Sequence, residues 1–237
     1  MPVFKSTYDF PAGEVLLFNK ELNWTSFDVV NKVRYNLCRM LRIKKLKVGH
    51  AGTLDPLATG LIVLCTGKAT KRIEEIQQTE KEYVATLKLG ATTPSFDLET
   101  EEDSTSNIGH INRKLVEEAI QQFVGETDQV PPVFSAVKIK GKRAFDYARK
   151  GEEVELQSKK IVIHTIELEE CELPHIRIRV NCGKGTYIRA LARDIGEALR
   201  CGAYLTSLER TRIGSYSIDD AFTVDGFLEN INLGESK

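Results

Sequence analysis

Twelve residues, Gly49–Gly60 (GHAGTLDPLATG), bend the chain around a single carboxylate and lead directly into the apolar run Leu61–Cys65 (LIVLC). The glycines at 49, 52 and 60 permit tight turning or close approach of another backbone. Pro56 disfavours the right-handed helical region at Asp55 and pushes it toward extended backbone. The continuous, partly β-branched run that follows reads as a buried strand, which anchors the loop in a core. Asp55 is therefore a carboxylate on a rigid loop pinned from both sides. An isolated Asp-Pro pair is most often a turn or capping element; the length of the surrounding pattern sets this one apart.

The charge around this loop is asymmetric although the net charge is only -1. Between Val29 and Arg72 stand ten basic residues (Lys32, Arg34, Arg39, Arg42, Lys44, Lys45, Lys47, Lys68, Lys71, Arg72), and Asp55 is the one acid among them. A second cluster comprises Lys138, Lys140, Lys142, Arg143, Arg149 and Lys150, with Asp146 as its only acid. Acids gather instead at Asp97–Asp103 and Glu167–Glu172. One such cluster alone reads as a solvated helix face. Two of them, one enclosing a lone Asp, form the electrostatic footprint of a polyanion-binding protein. No apolar run approaches the roughly 20 residues of a membrane span, and MPVFKSTYDF has no secretory h-region. The five cysteines are scattered without a CxxC pair, so neither a disulfide framework nor a zinc ribbon is indicated and a cytoplasmic setting is expected. The four histidines lie far apart, so no metal site is expected.

Periodicity places a strand at Glu14–Asn19 and a helix from a Ser26 cap to about Arg42, with Val29, Val30, Val33, Leu37, Met40 and Leu41 inward. Further helices are expected at Ala69–Gln78, Arg113–Val124 and Tyr187–Leu199. Strands are expected at Glu82–Leu89, where Tyr83, Ala85, Leu87 and Leu89 share one side, and at Val137–Ile139, Lys160–Leu168 and Ile176–Val180. Residues 91–110 read as a polar surface loop, and only a short tail is expected after about Gly214. The pattern predicts an α+β fold: one domain over residues 1–237, with a mixed, largely antiparallel central sheet flanked by helices.

GHAGTLDPLATG closely resembles GH-x-G-x-LDPxATG, the catalytic motif of the TruB family of bacterial tRNA pseudouridine-55 synthases. Four further segments resemble that family: Lys81–Tyr83; Gln129–Arg149 (QVPPVFSAVKIKGKRAFDYAR); Cys182–Arg189 (CGKGTYIR); and Gly202–Arg210 (GAYLTSLER). The matches run from about Leu17 to Gly214. The early motif departs from the family pattern, with Glu21 where the family has Pro and Asn23 where it has Gly; Asn tolerates the left-handed region better than most residues. Many family members carry a C-terminal PUA domain, which this chain is expected to lack.

The resemblance implies an RNA-modifying isomerase that converts uridine to pseudouridine in the T-arm of tRNA, at position 55, without a cofactor. The target base must leave its stack to be reached. A carboxylate can attack sugar or base, or stabilise charge on the ribose, and the resemblance makes Asp55 the catalytic nucleophile. It implies that Arg189 pairs with Asp55 and that Tyr83 stacks on the flipped uracil. Leu208 and Tyr187 wall the pocket, and His50, Lys20 and Lys138 touch the RNA. Taken alone, Tyr83 reads as a strand aromatic, Arg189 as a capping Arg and His50 as a loop residue. The expected partner is tRNA, with no membrane and no obligate protein partner, and a monomer is expected. The fragments GKGT (Gly183–Thr186) and GKAT (Gly67–Thr70) lack the upstream glycine of a phosphate loop. Two alternatives remain open: an RNA-binding module that keeps the loop for structure only, and an N-glycoside hydrolase, which usually needs a second carboxylate.

Overall fold

The computed structural model describes residues 7–135, 138, 139, 142, 143, 147 and 156–233. In chain order these form β1 (Val15–Lys20), α1 (Ser26–Met40), β2 (Val48–His50), β3 (Ala58–Thr66), a 3-10 helix (Gly67–Arg72), α2 (Ile73–Gln78), β4 (Lys81–Leu89), β5 (Ala91–Thr92), β6 (Ser104–Thr105), α3 (Arg113–Gln121) and β7 (Gly125–Gln129). There follow β8 (Lys138–Ile139), β9 (Lys142–Arg143), β10 (Lys159–Glu172), β11 (His175–Cys182), α4 (Ile188–Ala198), β12 (Ala203–Ile213), β13 (Tyr216–Ser217), a 3-10 turn (Ile218–Asp220) and α5 (Val224–Leu233). The expected α+β class is what is found, with antiparallel ladders joining β1 to β3 and β10 to both β11 and β7. Two compact units emerge, residues 1–83 with 209–237 and residues 84–208, so β4 and β12 each contribute to both. None of the five cysteines is in a disulfide.

In the first unit β3 is the spine and pairs with β1, β2 and β12. Its apolar run is continuous because both of its faces are covered. Ile62 and Leu64 join a core with Leu16, Phe18, Val29, Val33 and Leu37, whereas Leu61, Val63 and Cys65 pack with Ala51, Ile76 and Ile213. Gly60 is obligatory: its φ is +99°, and a Cβ there would lie 2.4 Å from the Arg210 carbonyl oxygen. Gly60→Ala is expected to destabilise the protein by about 2–4 kcal/mol through overpacking and an incompatible backbone. A denaturant titration checks this, and an unshifted midpoint contradicts it.

α1 buries Val29, Val30, Val33 and Leu37 as expected, but its cap is Thr25, not Ser26. Thr25 is extended and forms a capping box with Asp28, whose carboxylate accepts from the Thr25 N–H at 2.9 Å. That releases the Ser26 hydroxyl for another partner. The segment after Gly214 is not a loose tail. Val224, Phe227, Leu228 and Ile231 of α5 are buried at helical spacing, and the Phe227 ring sits among Tyr8, Phe10, Phe18 and Phe222 at centroid distances of 5.1–6.3 Å. The helix expected at Ala69–Gln78 is divided into the 3-10 helix and α2.

In the second unit the strand order is β12-β4-β11-β10-β7. β10 is longer than expected and carries two register shifts against β11. α3 starts at Asn112, whose side chain accepts from the Leu115 N–H at 3.0 Å; it buries Val116, Ala119 and Ile120, and α4 buries Ile188, Leu191, Ala192 and Ile195. Residues 91–110 do not form a surface loop throughout, because Thr93, Ser95 and Asp97 are buried. No helix among the described residues is long and apolar enough to cross a membrane.

Candidate active site

In the first unit the loop between β2 and β3 holds Asp55. Leu54 and Ala51 are buried and tie the loop to the core, while Asp55 is half-buried. The Asp55 carbonyl accepts from the Ala58 N–H at 3.1 Å, closing a turn with Pro56 at its second position, where the fixed φ of proline fits. Asp55 is thus a turn residue through its backbone carbonyl. Ser26 grips the preceding residue twice: its Oγ accepts from the Leu54 N–H at 2.8 Å and donates to the Leu54 carbonyl at 3.1 Å. Asn23 adopts the left-handed region (φ 67°), so the turn survives without glycine, and its N–H donates to the Pro56 carbonyl at 2.9 Å.

Lys20 is fully buried at the end of β1. Its Nζ donates to the carbonyls of Glu21 (2.9 Å), Trp24 (2.6 Å) and Pro56 (3.4 Å), so a single ammonium ties β1 to the turn beyond Asp55. Burial pushes its pKa down to about 8, with Asp55 pulling it up and Arg210 pushing it down. The folded-state value lies below the ordinary 10.5, so the charged form opposes folding below about pH 8, and that penalty fades as pH rises toward 10.5. Turnover should move the other way. The neutral amine has one donor fewer than its three carbonyl partners require and no charge beside Asp55. A pH profile of kcat is expected to fall through about pH 8, and a rate flat across that window contradicts this role.

His50 on β2 is paired with Leu64 of β3. Burial lowers its pKa, opposed by a backbone hydrogen bond at Gly52 and reinforced by Arg210. Its Nδ1 is buried without a hydrogen-bond partner among the described residues. Tyr83 shares the expected side of β4 with Ala85, Leu87 and Leu89; those three are buried, whereas Tyr83 is half-buried. Arg210, which sequence reasoning did not single out, is almost wholly buried (1% exposed) and donates to carbonyl oxygens of the Asp55 loop. Lys44, Lys45, Lys47, Lys68, Lys71 and Arg72 are exposed, and the Gly67 N–H donates to the Lys47 carbonyl at 2.8 Å, which joins the two halves of the first basic cluster.

In the second unit Arg189 lies in the first turn of α4 and is 5% exposed. Its guanidinium donates to the carbonyls of Ser95 (3.3 Å) and Phe134 (2.9 Å) and faces the Asp97 carboxylate at 3.6 Å. Asp97 carried no signal in the sequence beyond membership of an acidic stretch. Phe96, between two of these partners, holds a positive φ of 63°, uncommon for a bulky residue, and its ring is covered by Arg193 at 5.0 Å. Tyr187 is the N-terminal flanking residue of α4, and Gln129 clamps its backbone from both sides: Oε1 accepts from the Tyr187 N–H at 2.8 Å and Nε2 donates to its carbonyl at 3.2 Å. Leu208 is half-buried near the end of this unit's part of β12. Lys138 lies in β8, paired with Arg143 of β9; the side chains of Lys138, Lys142 and Arg143, and the residues Lys140, Arg149 and Lys150, lie outside what the structure describes. No group of three or more His, Cys, Asp or Glu residues suited to a metal ion occurs among the described residues.

Each unit thus holds one constrained charged residue that the sequence had marked: Asp55 on a doubly gripped turn in the first, and Arg189 facing the Asp97 carboxylate in the second. Residues 39–188 match the N-terminal domain of the TruB family pseudouridylate synthases, and residues 189–236 match the tRNA pseudouridylate synthase B C-terminal domain. The chain belongs to the TruB family and is an isomerase of that family. It is 65% identical to the tRNA pseudouridine synthase B of Phocaeicola vulgatus over 96% of this chain and 97% of that protein. It is 64% identical to that of Parabacteroides distasonis over 97% and 100%. Among solved structures it is similar to a chain of a Cbf5-Nop10-Gar1 complex (TM-score 0.73, 27% identity), covering 96% of this chain and 56% of that one. This chain therefore spans little more than half the length of that solved chain.

Proposed function

We propose that the protein isomerises uridine 55 in the T-arm of tRNA. The N1–C1′ bond breaks, the base turns, C5 joins C1′, and the proton leaving C5 is balanced by one gained at N1. The observation that carries this reading is the Asp55 turn, gripped by Ser26, Lys20 and Arg210, in a chain of this family. Asp55 acts on the ribose or base as the glycosidic bond opens. Arg189 pairs with it, and Tyr83 stacks on the flipped uracil. Tyr187 and Leu208 wall the base, and His50, Lys20 and Lys138 hold the RNA nearby. The chain acts as a monomer in the cytoplasm.

Incubating the purified protein with a uridine-containing T-arm stem-loop tests this. Pseudouridine is expected. Binding without isomerisation would favour an RNA-binding module, and release of free uracil an N-glycoside hydrolase. Replacing Lys44, Lys45 and Lys47 together should weaken binding and flatten the salt dependence by about 0.7–0.9 in slope per lost phosphate contact. An unchanged slope returns that cluster to solvated surface.

A further inference from the structure

Arg210 is a buried cation solvated by carbonyl oxygens, and no carboxylate lies within ion-pair distance of it among the described residues. Burying a charge in this way is costly, and its placement shows what it accomplishes. Nε donates to the Leu61 carbonyl (2.8 Å), Nη1 to Thr53 (3.4 Å) and Nη2 to Gly52 (3.1 Å). Gly52 and Thr53 precede Asp55, and Leu61 follows it on β3, so one planar group spans both arms of the loop. The glycines of the motif make room for it. A Cβ on Gly52 would meet Nη1 at 3.4 Å, and one on Gly60 would strike the Arg210 backbone. The close backbone approach that these glycines permit is made by Arg210 itself.

We propose that Arg210 is a positioning residue for the reaction, a strut that sets the path of Gly52–Asp55 and thereby where the Asp55 carboxylate points. This rests on Asp55 carrying the chemistry. Three carbonyls in divergent directions suit a rigid fork of donors and not the point charge of lysine. The same cation bears on Lys20 and His50 and lowers the basicity of both.

The test compares Arg210→Lys and Arg210→Met with wild type in single-turnover pseudouridine formation, alongside RNA affinity and the NMR titration of His50. Displacing a reacting group by about 1 Å costs on the order of 10²-fold in rate. Arg210→Met is expected to lose about that much in kcat, with RNA affinity unchanged and the His50 pKa raised. Arg210→Lys keeps the charge but loses the fork, and should remain at least roughly tenfold slow. A merely structural role predicts that activity follows the folded fraction, and that result, or wild-type kcat in Arg210→Lys, overturns the proposal. If Arg210→Met does not fold, Arg210→Lys decides alone. A wild-type protein that makes no pseudouridine overturns the isomerase reading and this one with it, whereas an active wild type beside an equally active Arg210→Lys overturns only the strut.

Discussion

Asp55→Asn is expected to abolish pseudouridine formation, by at least about 10³-fold, while the stem-loop still binds. The substitution is nearly isosteric. The Asp55 carbonyl still closes the turn with Ala58, and Ser26 still holds Leu54 on both sides, so the loop keeps its shape. What disappears is the negative charge and one of the two equivalent carboxylate oxygens. The drop should fall on kcat and leave RNA affinity near its original value, because the exposed lysines at 44, 45 and 47 that would meet phosphate are untouched. Single-turnover assays with separately measured binding resolve the two. Product at the wild-type rate would remove Asp55 from the chemistry, and loss of binding in proportion to activity would make it an RNA contact instead.

The second large effect is expected at Asp97. Asp97 is 7% exposed, and its carboxylate faces the Arg189 guanidinium at 3.6 Å. Asp97→Asn keeps an oxygen that can accept from the Glu99 N–H, as Oδ1 does now at 2.9 Å, but removes the buried charge that faces Arg189, whose bonds to the Ser95 and Phe134 carbonyls stay. Removing one partner of a buried pair costs about 3–5 kcal/mol. Chemical denaturation should show a loss of that order. The Arg189→Met, Asp97→Asn double variant should lose less than the sum of the single variants, because each single variant already breaks the shared pair. Additive losses would show that the pair is not coupled.

Much of the fold was legible because its signals are local. The unbroken, partly β-branched run from Leu61 to Cys65 favours a strand covered on both faces, and the spacing of Val29, Val30, Val33 and Leu37 a helix with one buried side. The constrained turn at Asp55 was legible for the same reason, since its glycines, proline and apolar anchor are contiguous. Features that depend on distant partners were not. Thr25 and Ser26 are adjacent hydroxyls, and which one caps α1 depends on the box with Asp28 and on the Leu54 backbone, 28 residues away from Ser26. The Thr93–Thr100 segment is polar and reads as surface, yet its side chains satisfy one another: Thr93 Oγ1 donates to the Asp97 carbonyl at 2.8 Å, and the Ser95 and Thr100 hydroxyls are 2.8 Å apart. Polar residues can be buried when their hydrogen bonds close among themselves, and nothing in composition reveals that closure. Arg210 was hidden because a buried arginine looks like a surface one until its carbonyl partners are in place. The α5 helix was overlooked although its apolar spacing was available, because a short segment after Gly214 was read by its length and not by its period.

The most direct measurement uses a full-length, unmodified tRNA transcript, the purified protein and a pseudouridine-specific mass tag read by position. The account predicts one tagged site, at position 55 in the T-arm, formed by wild type and absent with Asp55→Asn. An untagged transcript after full incubation, or tagging elsewhere with position 55 unchanged, would contradict it.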